Sequence, residues 1–283
     1  MSEKVYGLIE SFIDSLEEKE TKPSLVTGIP TGFARLDQLT SGLHNSNLIT
    51  IAGVAGVGKT TLALNIARNA ATESDKNVLI LSLNESKEEI TSKLLCAEAR
   101  LDFSRIRSGF LSKDDWNRIT NSAGCLSDAP IYLSEKFDVE TILKSDIDLL
   151  IIDSFQRLNT GASIIPTQEH RSYEVANHLK DIARKKDIPV IVISSLNDWR
   201  IEERSNKRPM LSDSKYGYTC LADLSDLFIT IYRDEMYNKD EHNPNRSMAE
   251  IEILKHRCGP TGVIVLAFLN YYTRFEDLAE LLE

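Results

Sequence analysis

The feature that most constrains this chain is the octapeptide Gly53 to Thr60, Gly-Val-Ala-Gly-Val-Gly-Lys-Thr. It has the form G-x-x-x-x-G-K-[ST], it follows the apolar run Leu48 to Ala52, and it opens a helical pattern from Thr61 to about Ala71. That order predicts a strand, a phosphate-cradling loop and a helix. Gly53, Gly56 and Gly58 let the backbone curl, so that its N–H groups, those of Val54, Ala55 and Val57 included, converge on a β-phosphate. The N-terminus of the helix that Thr61 continues adds its positive dipole end. Lys59 is placed to bridge β- and γ-phosphates, and Thr60 to ligate magnesium. The expected cofactors are therefore ATP and Mg2+.

With 283 residues, 42% of them hydrophobic, the chain is long enough for one large domain and an appendage. No apolar run approaches the length needed to span a bilayer; Val263 to Leu269 is among the longest. The first residues are polar and lack a secretory apolar core, so a cytoplasmic location and no membrane partner are expected. Cys96, Cys125, Cys220 and Cys258 lack metal-ligand spacing and are expected to be reduced and mostly buried. A net charge of −10 excludes a surface that binds nucleic acid all over, though not a local basic channel.

Residues Glu3 to Glu18 place Val5, Leu8, Ile9, Phe12, Ile13 and Leu16 at helical spacing, and Glu17 to Ser24 is a charged run suited to a linker. The domain organisation expected is an assembly helix and linker over 1–25 and an α/β domain over 26–283. Within that domain, strands are expected at Leu48 to Ala52, Val78 to Leu83, Leu149 to Ile152, Pro189 to Ser194, Leu227 to Tyr232, Ala249 to Leu254 and Val263 to Leu269. The first four alternate with helical patterns, as parallel strands covered on both faces require. The last are joined by the turn His256 to Gly262 and read as an antiparallel extension. Asp153 closes the run Leu149 to Ile152, which puts a carboxylate at a strand's C-terminal end, where it would hold the magnesium shell beside Lys59 and Thr60.

With these two motifs placed, the chain from about Val26 onward resembles the C-terminal motor domain of the DnaB family of replicative, RecA-like hexameric helicases. The resemblance rests on Thr27 to Gly42 (TGIPTGFARLDQLTSG), Ala97 to Leu133, Lys207 to Asp213 (KRPMLSD), Lys255 to Gly262 (KHRCGPTG) and Tyr272 to Leu278 (YTRFEDL). It implies a RecA-like phosphate-loop domain with a mostly parallel sheet and helices on both faces. It also implies that Lys255 and Arg257, two apart on a strand and so on one face, reach into a neighbouring subunit's site, the Arg as a finger on the γ-phosphate. Arg200, Arg204, Lys207 and Arg208 correspond to the channel side, where a basic loop tracks single-stranded DNA. The family's full-length members carry a primase-binding domain ahead of a docking helix. Here the N-terminal amphipathic helix looks like that docking helix alone, which would still let a ring, expected to be a hexamer, close.

Four departures stand against full activity. Asn84 occupies the position of the family's glutamate base, and an amide cannot take the proton; Glu85 is adjacent but should point to the opposite side. Ser195 stands where a glutamine would report hydrolysis to the DNA loops. Ser214 to Gly217 replaces an Arg-Glu-Ser sequence, and Lys136 to Asp148 is about ten residues shorter than the family's connection. The reading is an ATP-dependent helicase motor with weakened hydrolysis. The alternatives are a non-hydrolysing ring or adaptor of the same ancestry and a RecA-like regulatory ATPase of the circadian-clock type, in which the KHRCGPTG tail is not expected.

Overall fold

The structure, a computed structural model, describes residues 24–158, 168–214 and 219–278 together with Val5, Ile9 and Ile13. Those three positions are helical and exposed. The rest of the expected N-terminal helix, most of the linker and the departure at Lys215 to Gly217 lie outside the described residues.

Among the described residues nine strands form one sheet in the order β3-β2-β4-β5-β1-β6-β7-β8-β9. The parallel part comprises β1 (Leu48–Gly53), β2 (Val78–Ser82), β3 (Ile131–Ser134), β4 (Leu149–Asp153), β5 (Val190–Ser195) and β6 (Leu227–Tyr232). Every residue of β1, β4 and β6 is buried, which for a β-strand means cover on both faces. Their Val/Ile/Leu runs are the sequence counterpart of that cover. The antiparallel extension is β7 (Met248–His256), β8 (Gly262–Leu269) and β9 (Arg274–Asp277). Its alternating burial marks a sheet with one buried face.

The described α-helices from Ser24 onward are α1 (Ala34–Thr40), α2 (Lys59–Ser74), α3 (Lys87–Ala99), α4 (Phe103–Ser108), α5 (Lys113–Asp128), α6 (Val139–Lys144), α7 (Gln168–Lys186), α8 (Asp198–Glu202) and α9 (Cys220–Leu224), with short 3-10 turns between some of the elements. The hydrophobic core lies between the central strands, α2 and α7, and includes Leu48, Ile51, Leu62, Ile66, Ile151, Leu179 and Ile191. Two strands, β3 and β9, were not expected from apolar runs. The first is four residues of half-exposed edge, and in the second, Arg-Phe-Glu-Asp, only Phe275 is buried. The thiols divide evenly: Cys96 and Cys220 are buried, while Cys125 and Cys258 are exposed, so the expectation of mostly buried cysteines holds for half of them. None of the described helices is long and apolar enough to cross a membrane.

The sheet order explains where a site must form. All six parallel strands point their C-terminal ends the same way, and the central β1 is flanked by β5 and β6. The segments following β1, β2, β4 and β5 therefore meet along one edge.

Candidate functional site

The phosphate loop leaves β1 at Gly53 and enters α2 at Lys59. Gly58 has φ 111° and Gly56 φ 74°, conformations that glycine tolerates and other residues resist. A Cβ on Gly58 would also lie 3.0 Å from Phe275 Cζ and 3.3 Å from Phe268 Cε2. This aromatic pair, with ring centroids 4.7 Å apart, comes from β8 and β9, so the antiparallel extension supports the loop from below. Arg233, just after β6, completes the support. It donates to the carbonyls of Gly56 (3.3 Å) and Val57 (3.4 Å), pairs with Glu235 and sits 3.8 Å over the Phe268 ring. Sequence reading passed over Arg233; a cation directly after an apolar strand was its only local signal.

Lys59 donates to the carbonyls of Gly53 (3.1 Å) and Val54 (2.7 Å), which holds its ammonium against the loop. The Thr60 hydroxyl donates to Asp153 Oδ2 at 2.5 Å. The two motifs, 93 residues apart, are thus brought into direct contact at the C-terminal edge of the sheet. A hydroxyl and a buried carboxylate are hard oxygen donors, the set that suits Mg2+ shared with phosphate oxygens. Thr61 is half-buried in the first turn of α2.

Beyond β2 the chain turns sharply into α3, whose start is fixed by a capping box between Ser86 and Glu89. The strand ends at Ser82, one residue before the expected end, so the turn and not strand alternation sets which way the next side chains face. Asn84 Nδ2 donates to Asp153 Oδ1 (3.3 Å) and to Ser154 Oγ (3.0 Å), and Asn84 Oδ1 accepts from Arg157 Nε (3.1 Å). Glu85 instead pairs with Lys93 on α3. The position facing Asp153 is an amide, and the neighbouring carboxylate is engaged elsewhere.

After β4 a single 3-10 turn, Phe155–Arg157, sends two consecutive side chains in opposite directions. Gln156 reaches β5, donating to Ser194 Oγ (2.9 Å) and, at 3.5 Å, to the Ser195 carbonyl. Its Oε1 is buried and has no hydrogen-bond partner among the described residues. The amide beside Ser195 is therefore that of Gln156. Neither Gln156 nor Arg157 was singled out from the sequence.

Lys255 and Arg257 sit at the opposite end of the sheet from the phosphate loop. Lys255 Nζ donates to the carbonyls of Ala222 (2.9 Å) and Asp223 (2.7 Å), at the C-terminus of α9. Arg257 is not on the strand: β7 ends at His256, and the guanidinium projects from the turn, 65% exposed, with Nη1 3.2 Å from Asp226 Oδ1. The expectation of two residues on one strand is corrected in that respect, although both still meet the same segment, 222–226. Asp226 is buried, also pairs with Lys180, and accepts from the Leu48 amide at 2.8 Å. Burial pushes its carboxyl up, but these bonds outweigh burial and leave it below its ordinary range. Because Leu48 begins β1 and Gly53 ends it, the strand end capped by Asp226, the partner of Arg257, lies about 17 Å from the loop at ~3.3 Å per residue.

The basic cluster is more neutral than its sequence suggests. Arg204 pairs with the buried Asp213, and Arg208 makes a two-pronged bond to Glu250 (2.7 and 2.6 Å) while lying 4.7 Å over Tyr232. Arg200 donates to the Ser212 carbonyl at 3.0 Å and Lys207 to that of Glu202. Two of the four charges are matched by carboxylates.

Comparison with known proteins agrees with this architecture. Residues 28–277 match the model of the family described as DnaB-like helicase C terminal domain. The chain is 37% identical to the replicative DNA helicase DnaB of Geobacillus stearothermophilus and 34% identical to the replicative DNA helicase DnaC of Bacillus subtilis (strain 168). Each alignment covers 96% of this chain and 61% of the relative, so the chain spans less than two thirds of their length. Among solved structures, one described as an ATPase domain superposes with a TM-score of 0.87 at 30% identity, covering 96% of this chain and 98% of that one. A DnaB-like replicative helicase, studied with its primase interactions, gives 0.85 at 29% identity, covering 95% and 66%. The RadB recombinase, at 20% identity and a TM-score of 0.56 over 88% of this chain and 99% of that one, shares the fold.

Proposed function

Because the chain belongs to the DnaB-like helicase C-terminal domain family, we propose that it is a ring-forming helicase motor that binds ATP with Mg2+ and tracks single-stranded DNA. The observation that carries this reading is the Thr60–Asp153 contact beside Lys59, which joins both phosphate-site motifs at one edge of the sheet. In the proposed site the loop amides cradle the β-phosphate, Lys59 leaves the Gly53 and Val54 carbonyls for the phosphates, and Thr60 and Asp153 hold the metal. Bound there, Mg2+ would offset charge on the phosphate oxygens. The polar pocket of about 460 Å³ beside Arg233, lined also by Met236, Asn238, Asn243 and Asn270, is the place for the base and ribose.

The ring enters through Arg257. A guanidinium at the far end of the sheet cannot serve its own phosphate loop, whereas it can serve a neighbour's. Asp226 takes only one of its nitrogens and leaves the rest to the interface. The exposed stripe Val5, Ile9, Ile13 supplies an apolar surface for assembly, consistent with 1–25 acting as a docking segment ahead of the motor at 26–283. For DNA, Arg200 and Lys207 are the better candidates in the basic loop, since their partners are backbone carbonyls, whereas Arg204 and Arg208 are already committed to carboxylates.

A second reading, a ring in which nucleotide is bound and hydrolysed slowly or not at all, is favoured by one observation: the side chain facing Asp153 is the Asn84 amide, with Glu85 held by Lys93. ATP turnover with and without single-stranded DNA, with Lys59→Ala as control, decides between them. DNA-stimulated turnover supports the motor, turnover indifferent to DNA supports a regulatory ATPase, and nucleotide binding without turnover supports the adaptor.

A further inference from the structure

We infer that Arg157 is a ligand for the terminal phosphate of ATP, supplied by the same subunit that holds the nucleotide, and that Asn84 is the residue that positions it. The inference rests on the phosphate-site reading above and deepens it.

The hydrogen bonds of Asn84 set out the logic. Its amide nitrogen donates toward an acid, Asp153, and toward the Ser154 hydroxyl, while its oxygen accepts from a cation, Arg157. Only a group that both donates and accepts can stand between a carboxylate and a guanidinium in this way. A carboxylate at 84 could not donate to Asp153. The amide is therefore not simply a base that has been lost, because it fits a bridge from β4 to Arg157.

Arg157 is built to be aimed. Its backbone N–H donates to the Ser154 carbonyl at 3.1 Å, and Phe155, two residues back, is 2% exposed in the core, so the root of the side chain is fixed. Nε is held by Asn84, whereas among the described residues no carboxylate pairs with the guanidinium, which is exposed. Arg204, Arg208, Arg233 and Arg257 each have a carboxylate partner. The two terminal nitrogens of Arg157 thus keep four N–H donors for an anion.

The anion follows from placement. Along the sheet edge the order is Arg157 with Asn84, then Asp153 with Thr60, then the loop with Lys59. A β-phosphate seated in the loop carries its next phosphate toward Asp153, which puts Lys59 on one side of the γ-phosphate and Arg157 on the other. Guanidinium suits two oxygens of one phosphate. The consequence is selectivity for triphosphate over diphosphate, independent of how fast the site hydrolyses.

The test is equilibrium titration of fluorescent ATP and ADP analogues with Mg2+ into the parent, Arg157→Ala, Asn84→Ala, the double variant and Lys59→Ala. The expected result is a roughly ten- to hundredfold loss of ATP affinity in Arg157→Ala with ADP affinity unchanged. Asn84→Ala should lose less in the same direction, and the double variant no more than Arg157→Ala alone, as residues acting through one contact do. If Arg157→Ala weakens ATP and ADP equally, or neither, while Lys59→Ala weakens both, the inference is overturned and the phosphate site stands. If Lys59→Ala leaves both unchanged, the phosphate site itself is wrong and the inference falls with it. A parallel titration of the ADP-bound protein with single-stranded DNA covers the other source of phosphate. Loss of DNA affinity in Arg157→Ala with ATP affinity intact would assign the arginine to the strand and overturn the nucleotide role.

Discussion

Replacing Asn84 by Glu separates a site that lacks only its base from one that is built for retention. The variant places a carboxylate where the Asn84 amide now faces Asp153, and a base oriented toward the attacking water contributes roughly 10²–10⁴-fold, or about 3–5 kcal/mol of barrier. Two neighbours modify that figure. Asp153 Oδ1 lies 3.3 Å from the present amide nitrogen and would repel the new charge by about 5 kcal/mol at an effective dielectric of 20. Arg157 Nε lies 3.1 Å from the amide oxygen and would attract it by a similar amount, so the two nearly cancel. We therefore expect a gain near the lower end, on the order of 10²-fold in phosphate release, with a smaller gain in unwinding because Ser195 is unchanged. Steady-state phosphate release from the parent, Asn84→Glu and Glu85→Gln at matched assembly makes the comparison. A flat rate in Asn84→Glu, together with a robust parental rate abolished by Glu85→Gln, would show that Glu85 leaves Lys93 to act as the base and would refute the reasoning.

The other predictions concern the loop, the ring, the strand contact and the thiols. Gly58→Ala must hold a Cβ at φ 111° against Phe275 and Phe268, so it should cost roughly 1–3 kcal/mol in thermal unfolding and weaken ATP binding; an unchanged melting temperature would sink that account. Arg257→Ala should lose turnover while keeping ATP affinity, and mixing it with Lys59→Ala subunits should restore part of the rate, since the one lends its loop and the other its arginine; no recovery on mixing would argue against a finger in trans. Arg200→Ala with Lys207→Ala should lower the salt slope of single-strand binding by about one unit per lost phosphate contact, whereas Arg204→Ala should chiefly destabilise the fold by stranding the buried Asp213. At pH 8 a thiol reagent should modify Cys125 and Cys258 in the folded protein and spare Cys96 and Cys220, which are buried with thiols pushed up to about 12; four equally fast thiols would contradict the packing.

What was legible in the sequence is what local chain geometry decides. The phosphate loop and the strand ending at Asp153 each follow from a few consecutive residues, because the loop's glycine spacing and the strand's apolar run are both local. The contacts that hold and complete the site were not legible, because each joins distant stretches. Arg233 props carbonyls 176 and 177 residues away, Phe275 underlies Gly58 from an edge strand too polar to read as one, and Glu250 neutralises Arg208 across 42 residues. The same limit governs the departures. Read alone, Asn84 beside Glu85 suggests a misplaced acid and a lost function. In the fold the acid has Lys93 as its partner and the amide has Asp153, Ser154 and Arg157. Exchanging the two would set a carboxylate against Asp153 and leave Lys93 facing an amide, so each residue is matched to the charge it meets. Slow hydrolysis, if turnover assays find it, would then be a consequence of how the site is wired, which is why the ATP-to-ADP affinity ratio, rather than turnover alone, is the quantity by which this chain should be judged.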